Sequence, residues 1–397
     1  MNEEQTRFLY EVGDFLERKI DDRMERSGIS VPVIGKKAKK MTWYKVPVED
    51  GMSGDGSEYH VYLKKGRSKN LCIFFSGGGL AWDEYTAARP VTAGKMAAHM
   101  PNFYWSNLRP VTQFMNINIG ITENKSRRNP FDAWNFLIIS YSTGDLHVGD
   151  SELIYRAEDG TENVLHFHGY KNFRAAMDIC AWFFEKPSRI LIAGCSAGAF
   201  AVPALAGEIA DDFYPDVDDI TLFSDSGQFI FDKWRETVFE KWNCPKHIGD
   251  AVCTDNITVD WYRNLHARYG SRFRYLYASS VHDYLLSAYY NETVSGHYES
   301  NEHVREVFFA QLRIMIEELM DIEPEYGFFI NNWKNLLLSR GGTIHTAVRE
   351  PYFYLHHKEG KSMAEWLHDA VNGNIYSVGL DLLGLQRSAS KPGANPF

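Results

Sequence analysis

The segment Gly194-Cys195-Ser196-Ala197-Gly198 carries the clearest chemical signal in this chain. The apolar run Ile190-Leu191-Ile192-Ala193 leads into it, and the small-residue segment Ala197-Gly198-Ala199-Phe200 leads out. A strand, a sharp turn and a helix in that order make a nucleophile elbow, which presents a serine hydroxyl at the top of a sheet. Such a turn is strained and brings two backbones together, so the residues beside the serine must be small. The helix beginning at Ala197 would aim its positive end at the oxyanion formed in acyl transfer. An ordinary strand-to-helix turn is the alternative, and the matched context on both sides favours the elbow.

A serine nucleophile needs a base and an acid, and in sheets of this type the chain order is Ser, Asp or Glu, then His. Two aspartates follow apolar runs downstream: Asp225 after Leu222-Phe223, and Asp283 after Tyr275-Leu276-Tyr277-Ala278. The acid usually follows the second strand after the nucleophile. Strand counting favours Asp283, and Asp225 stays open as the group that orients the histidine. Among the downstream histidines, His345 lies in Gly341-Gly342-Thr343-Ile344-His345-Thr346, a glycine turn able to reach across to the serine. His297, His303, His356, His357 and His368 sit in polar or helical contexts that suit surface residues.

The second signal is Phe74-Phe75-Ser76-Gly77-Gly78-Gly79-Leu80-Ala81-Trp82. Glycines directly after a buried strand let the backbone approach a ligand closely. In serine hydrolases with an elbow, this loop supplies one oxyanion N–H and the residue after the serine supplies another. Gly78, Gly79 and Leu80 are the candidates in the loop, and Ala197 is the candidate after the serine. A phosphate loop fits poorly, because no Gly-Lys-Ser/Thr follows and the spacing is not G-x-G-x-x-G. The resulting expectation is ester hydrolysis: His345 takes the Ser196 proton, the acid orients the imidazole, and each backbone donor stabilises the oxyanion by about 3 kcal/mol.

Certain elements must position these groups. Short apolar runs at 71–75, 136–140, 190–193, 220–223 and 275–278 read as strands buried on both faces. Helical patterns lie between several of them, notably 173–185, so right-handed crossovers and an α/β-hydrolase-like fold are expected. The central sheet should be mostly parallel and flanked by helices. Residues 59–63 alternate like an antiparallel edge strand. An amphipathic helix is expected over 4–26, with Phe8, Leu9, Val12, Phe15, Leu16 and Ile20 near helical spacing. The expected layout is an N-terminal helix and connector over 1–40, then one hydrolase domain over 41–397 with a helical cap at about 289–340 that contains a long helix, 304–322. The basic run Lys36-Lys37-Ala38-Lys39-Lys40 reads as a solvated connector, and 388–397 as a loosely ordered tail.

Composition narrows the partners. A net charge of −10 disfavours nucleic acid and anionic membranes. No apolar run approaches the roughly 20 residues of a bilayer span. Five cysteines without metal-ligand spacing, and a start Met1-Asn2-Glu3-Glu4-Gln5 unlike a signal peptide, give the expectation of a cytoplasmic protein. No cofactor and no metal are expected. The expected partner is a small-molecule or oligosaccharide ester, and aromatic residues could line its cleft.

Taken together, the motifs resemble the pectin acetylesterase/Notum family of carboxylesterases. Gly54-Asp55-Gly56-Ser57-Glu58-Tyr59-His60 is similar to an early family strand, and Ser76-Gly77-Gly78-Gly79 to its oxyanion loop. The segment from Tyr141 through Asp145 to Asp150 resembles its pocket loop, which with Trp82 places Tyr141 and Asp145 at the expected substrate pocket. Leu165-His166-Phe167-His168-Gly169-Tyr170 and Ser224-Asp225-Ser226-Gly227 also resemble family segments, and the elbow matches without a mismatch. The resemblance implies that Ser196, Asp283 and His345 correspond to the family's triad and that an O-acyl group, acetyl or fatty acyl, is removed. This chain departs from the family at Leu80, where an aromatic residue is common, and at Ala199, where a glycine is usual, and the family's disulfides and secretion signal are not expected here. An esterase acting on small acylated sugars follows as the first expectation. A lipase, lysophospholipase or fatty-acyl-protein deacylase is the second, and a catalytically silent binding protein on the same scaffold is the third.

Overall fold

Alternate residues of the short apolar runs face opposite sides of one sheet. Leu71, Ile73 and Phe75 join one buried apolar cluster, while Cys72 and Phe74 join the other. This double burial explains why the strands read as unbroken apolar runs rather than as an alternation. The computed structural model describes residues 3–27, 31–35, 38–157, 160–335, 341–349 and 351–386. Lys36, Lys37 and the tail 388–397 lie outside the described residues.

The strands are β1 (Trp43–Met52), β2 (Glu58–Lys64), β3 (Leu71–Phe75), β4 (Asn135–Ile139), β5 (Ser151–Arg156), β6 (Glu162–Phe167), β7 (Ile190–Cys195), β8 (Ile220–Asp225), β9 (Arg274–Ser280) and β10 (Gly327–Asn331). Eight of them form one sheet in the order β1-β2-β4-β3-β7-β8-β9-β10. All neighbours from β4 to β10 pair in parallel, and β2 pairs antiparallel with both β1 and β4. β5 and β6 form a separate antiparallel hairpin. This is the α/β-hydrolase-like arrangement. β2 was expected at the edge; β1 covers it, with Val46 opposite Val61, and takes the edge position.

Helices close both faces. Gly169–Phe183 buries Phe173, Ala176, Met177 and Cys180 against one face, and the elbow helix Ala197–Glu208 is buried almost all round. Met363–Val371 buries Met363, Trp366, Leu367 and Ala370 against the other.

Of the stretch 289–340, expected as a helical insertion or cap, the described residues 289–335 are built into the body. Its long helix, Glu302–Ile322, buries Val304, Phe308, Leu312, Met315, Ile316 and Leu319 along one stripe. With the helix Tyr284–Ser295 it makes the crossover from β9 to β10, and Gly327 through Asn331 pair with Leu276 through Ser280. The short run Phe328-Phe329-Ile330 is fully buried, so the segment completes the sheet instead of standing off it.

The N-terminal helix spans Glu3–Ser27, matching the expected element. Its attachment inverts its amphipathicity. Gly13 meets the Gly94 backbone, where a Cβ would lie 2.6 Å from Gly94 Cα, and Glu17 pairs with Arg109 at 2.6 Å. Phe8, Phe15, Leu16 and Ile20 are exposed.

Candidate active site

The elbow forms because two glycines allow contacts that no side chain would survive. A Cβ on Gly194 would lie 2.1 Å from the Gly198 carbonyl oxygen, and a Cβ on Gly198 would lie 2.1 Å from that of Phe75. Between them Ser196 has φ 54° and ψ −126°, a conformation that L residues rarely adopt. Its N–H donates to the Asp225 carbonyl at 2.9 Å, which ties the turn to β8.

His345 reaches this serine from 149 residues downstream, with Nε2 2.8 Å from Ser196 Oγ. Its Nδ1 lies 2.7 Å from Asp283 Oδ2. A carboxylate only accepts, so Nδ1 carries the proton and Nε2 is left to accept from the serine. Asp283 is fully buried and caps the helix Tyr284–Ser295. Its Oδ1 accepts from Leu285 N–H at 2.9 Å and Leu286 N–H at 3.0 Å. The structure thus brings Ser196, His345 and Asp283 into one hydrogen-bonded line, and the imidazole is only 13 % exposed.

The histidine loop is clamped at several points. Thr343 N–H donates to His282 C=O at 2.9 Å, and Thr343 Oγ1 donates to Ser280 Oγ at 2.8 Å. Ser280 Oγ donates in turn to the Ile344 carbonyl. Asp225, the other candidate acid, holds the far side of this loop: its Oδ2 accepts from Ala347 N–H and Val348 N–H, each at 2.8 Å. Burial pushes the Asp225 carboxyl up to about 6 against these hydrogen bonds and the nearby His345.

The glycine loop lies beside the elbow. A Cβ on Gly77 would lie 2.6 Å from Ser196 Cβ, and one on Gly78 would lie 2.8 Å from the Tyr141 ring. Gly79 has φ 79° and passes so close to Phe103 that a Cβ would lie 1.8 Å from its carbonyl oxygen. Among the expected oxyanion donors, Leu80 is excluded, because its N–H already donates to the Phe103 carbonyl at 2.9 Å. Gly78 C=O is likewise taken, accepting from Trp105 N–H at 2.9 Å. Among the described residues, no acceptor takes the N–H of Gly78, Gly79 or Ala197.

His147 and Ser76, to which the sequence assigned no role of their own, support this loop. His147 Nε2 lies 2.9 Å from the Ser76 carbonyl, and burial lowers the imidazole to about 4, so the neutral ring donates. Ser76 Oγ donates to Asn116 Oδ1 at 2.5 Å and accepts from Arg349 Nη1 at 3.1 Å. Both residues lie inside motifs quoted above, Ser76 in the glycine loop and His147 between Tyr141 and Asp150, but nothing in their spacing pairs the two.

Two of the three expected pocket residues are displaced from that role. Asp145 is fully buried, and Thr143 Oγ1 (2.6 Å), His147 N–H (3.2 Å) and Gly169 N–H (2.7 Å) all donate to it. It therefore ties the loop to the Gly169–Phe183 helix, and burial pushes its carboxyl up to about 6. Trp82 is 7 % exposed and packs against Phe103, Phe229, Phe231 and Tyr289, so it belongs to an aromatic core beneath the loop. Tyr141 is also buried, but its ring touches Gly78 while its hydroxyl accepts from Leu146 N–H at 2.9 Å.

A strand-ending serine, a histidine against it and a glycine loop with unused N–H groups are the parts of an acyl-transfer site. A family model described as Pectinacetylesterase matches residues 36–260, more than half of the chain. The chain belongs to the pectinacetylesterase family. Among curated proteins, none matches it. Membership makes the protein a hydrolase of ester bonds, in a family of carbohydrate esterases acting on acetyl esters. The matched segment includes the glycine loop and Ser196, whereas Asp283 and His345 lie beyond its end. No helix among the described residues is long and apolar enough to cross a membrane.

Proposed function

We propose that this protein hydrolyses O-acetyl esters of small or oligomeric carbohydrates, with Ser196 as nucleophile, His345 as general base and Asp283 as its orienting acid. The observation that carries the reading is the line Asp283 Oδ2 to His345 to Ser196 Oγ, with both contacts under 3 Å, ending on the elbow serine. In the first half-reaction Ser196 Oγ attacks the acetyl carbonyl carbon while its proton passes to His345 Nε2. Asp283 holds the Nδ1 proton and offsets the charge of the imidazolium. The oxyanion is met by N–H groups of Gly78, Gly79 and Ala197. Collapse breaks the bond to the sugar oxygen, which leaves with the proton from Nε2. In the second half, water loses its proton to Nε2, attacks the acetyl-serine carbonyl, and acetate departs as Ser196 Oγ regains a proton.

The test is a fluorophosphonate probe together with a substrate panel. Covalent labelling that disappears in Ser196→Ala, and deacetylation of acetylated galacturonide or xylo-oligosaccharides, are expected. Activity restricted to octanoyl and longer esters would replace acetyl sugars with a fatty-acyl substrate. Absence of labelling in the folded protein would remove the enzyme mechanism.

A further inference from the structure

Two fully buried aspartates near the site differ in what their surroundings ask of them. Around Asp145 every partner is a donor: one hydroxyl and two backbone N–H groups. Nothing there requires a proton on the carboxyl. Around Asp225 the count is different. Oδ2 accepts from the N–H groups of Ala347 and Val348. Oδ1 lies 3.0 Å from Ser226 Oγ, and the same hydroxyl is hydrogen-bonded to the His345 carbonyl.

Ser226 has one hydroxyl proton and two acceptors facing it. If Asp225 is ionised, the serine satisfies either the carboxylate or the His345 carbonyl, and the remaining oxygen pair is left repulsive and buried. If Oδ1 carries a proton, both contacts are made: Oδ1–H donates to Ser226 Oγ, and Ser226 Oγ–H donates to His345 C=O. Oδ2 remains the acceptor for the two N–H groups. Ser226 cannot escape by small backbone changes, because it is held at φ 63° with its N–H donating to the Ala278 carbonyl at 2.8 Å.

We propose that Asp225 is a positioning residue that works as a neutral carboxylic acid, gripping the His345 loop through the chain Asp225 Oδ1–H, Ser226 Oγ–H, His345 C=O. Ionisation of Asp225 breaks one link of this chain and loosens the backbone that carries the imidazole. The titratable groups that face Asp225 are His345 from the loop, Tyr277 from β9 and, in register on β7, Cys195. Of these, the imidazolium form of His345 favours the ionised acid. Burial raises the Asp225 carboxyl against it, in agreement with the proton count.

The inference rests on the proposed role of His345, so its test separates the two. Asp225→Asn presents the same pattern as the neutral acid, an N–H toward Ser226 Oγ and a carbonyl toward Ala347 and Val348. Infrared difference spectra of wild type against Asp225→Asn, from pH 5 to pH 8, should contain the carbonyl stretch of a buried carboxylic acid that fades as pH rises. Asp145 is common to both proteins and cancels. With acetyl esters, wild-type kcat/KM should fall roughly fivefold or more above its maximum as Asp225 ionises, and Asp225→Asn should lose that descending limb while keeping the rising one. Ser226→Ala should flatten the same limb at lower overall activity.

Absence of the carboxylic acid band at every pH overturns the proposal, whatever the activity. So does a roughly hundredfold loss in Asp225→Asn at all pH values with an unchanged unfolding transition, because the anion would then be the working form. A wild type without esterase activity would instead refute the role of His345, and the infrared band would still decide the proton on Asp225.

Discussion

Replacing Asp283 by asparagine tests the proposed mechanism at its most specific point. Oδ1 of Asp283 accepts two backbone N–H groups, from Leu285 and Leu286, at 2.9 and 3.0 Å. That position demands an oxygen. Asparagine therefore keeps its carbonyl on the helix N-terminus and turns its amide N–H2 toward His345 Nδ1. Two donors cannot share that contact, so Nδ1 loses its proton and Nε2 gains it. The ring then points an N–H at Ser196 Oγ and cannot accept the hydroxyl proton. The expected fall in kcat is about 10,000-fold, or about 5.4 kcal/mol in the barrier. KM should change little, because the buried acid does not meet substrate. The capping bonds survive, so stability should shift by well under 1 kcal/mol. Asp283→Ala differs: it also loses the cap, at a further cost of about 1 kcal/mol. Steady-state kinetics with p-nitrophenyl acetate, alongside urea unfolding of both variants, give the comparison. Activity of Asp283→Asn within tenfold of wild type, in a folded protein, would refute the assignment of the acid.

Gly198→Ala should prevent the elbow from closing, because its Cβ would fall 2.1 Å from the Phe75 carbonyl oxygen; a loss of about 3 kcal/mol or more in unfolding free energy is expected, and a wild-type urea midpoint would contradict it. His147→Ala removes the donor that holds the Ser76 carbonyl and leaves a cavity beside Tyr141, so stability should fall by about 2–4 kcal/mol and kcat more than KM; a KM effect alone would argue against a role in the oxyanion loop. The Asp225 carboxyl, at about 6 in the folded chain, lies above its unfolded value near 3.9, so its contribution to stability is full below about pH 4 and disappears as pH rises through 6. Asp225→Asn should therefore flatten the pH dependence of urea unfolding between pH 4 and 7 by up to about 3 kcal/mol, and parallel curves would show that the folded and unfolded values are alike.

Much of the scaffold was legible because burial on both sheet faces leaves a plain mark. The runs that became β3, β4, β7, β8 and β9 are almost wholly apolar, broken only by Ser140 and Thr221, and their bounds agree with the strands to within about two residues. Phe328-Phe329-Ile330 is just as apolar but only a few residues long and follows a long helix, so β10 was absorbed into an expected cap. The β5–β6 hairpin escaped because Ile154 and Val164 face solvent, which leaves only a weak alternation. At the site, strand counting points to Asp283, and the fold sets its carboxylate 2.7 Å from His345 Nδ1. The exclusion of Leu80 as an oxyanion donor had no such route, since it depends on a hydrogen bond to Phe103, which lies 23 positions along the chain.

The sequence by itself determined the kind of bond chemistry, because the elbow and the glycine loop are local. Gly194, Gly198 and the strand before them are enough to present Ser196, and three glycines after β3 are enough to bring a backbone close. Tertiary structure decided which groups meet that serine. His345 is 149 positions from Ser196 and Asp283 is 62 from His345, so their meeting depends on parallel crossovers that set β8 and β9 in succession beside β7. It also divided the two aspartates. Asp283 and Asp225 look alike after their strands, but only Asp283 lands at a helix N-terminus facing the imidazole, while Asp225 points beneath the loop at Ser226 and the backbone of Ala347 and Val348.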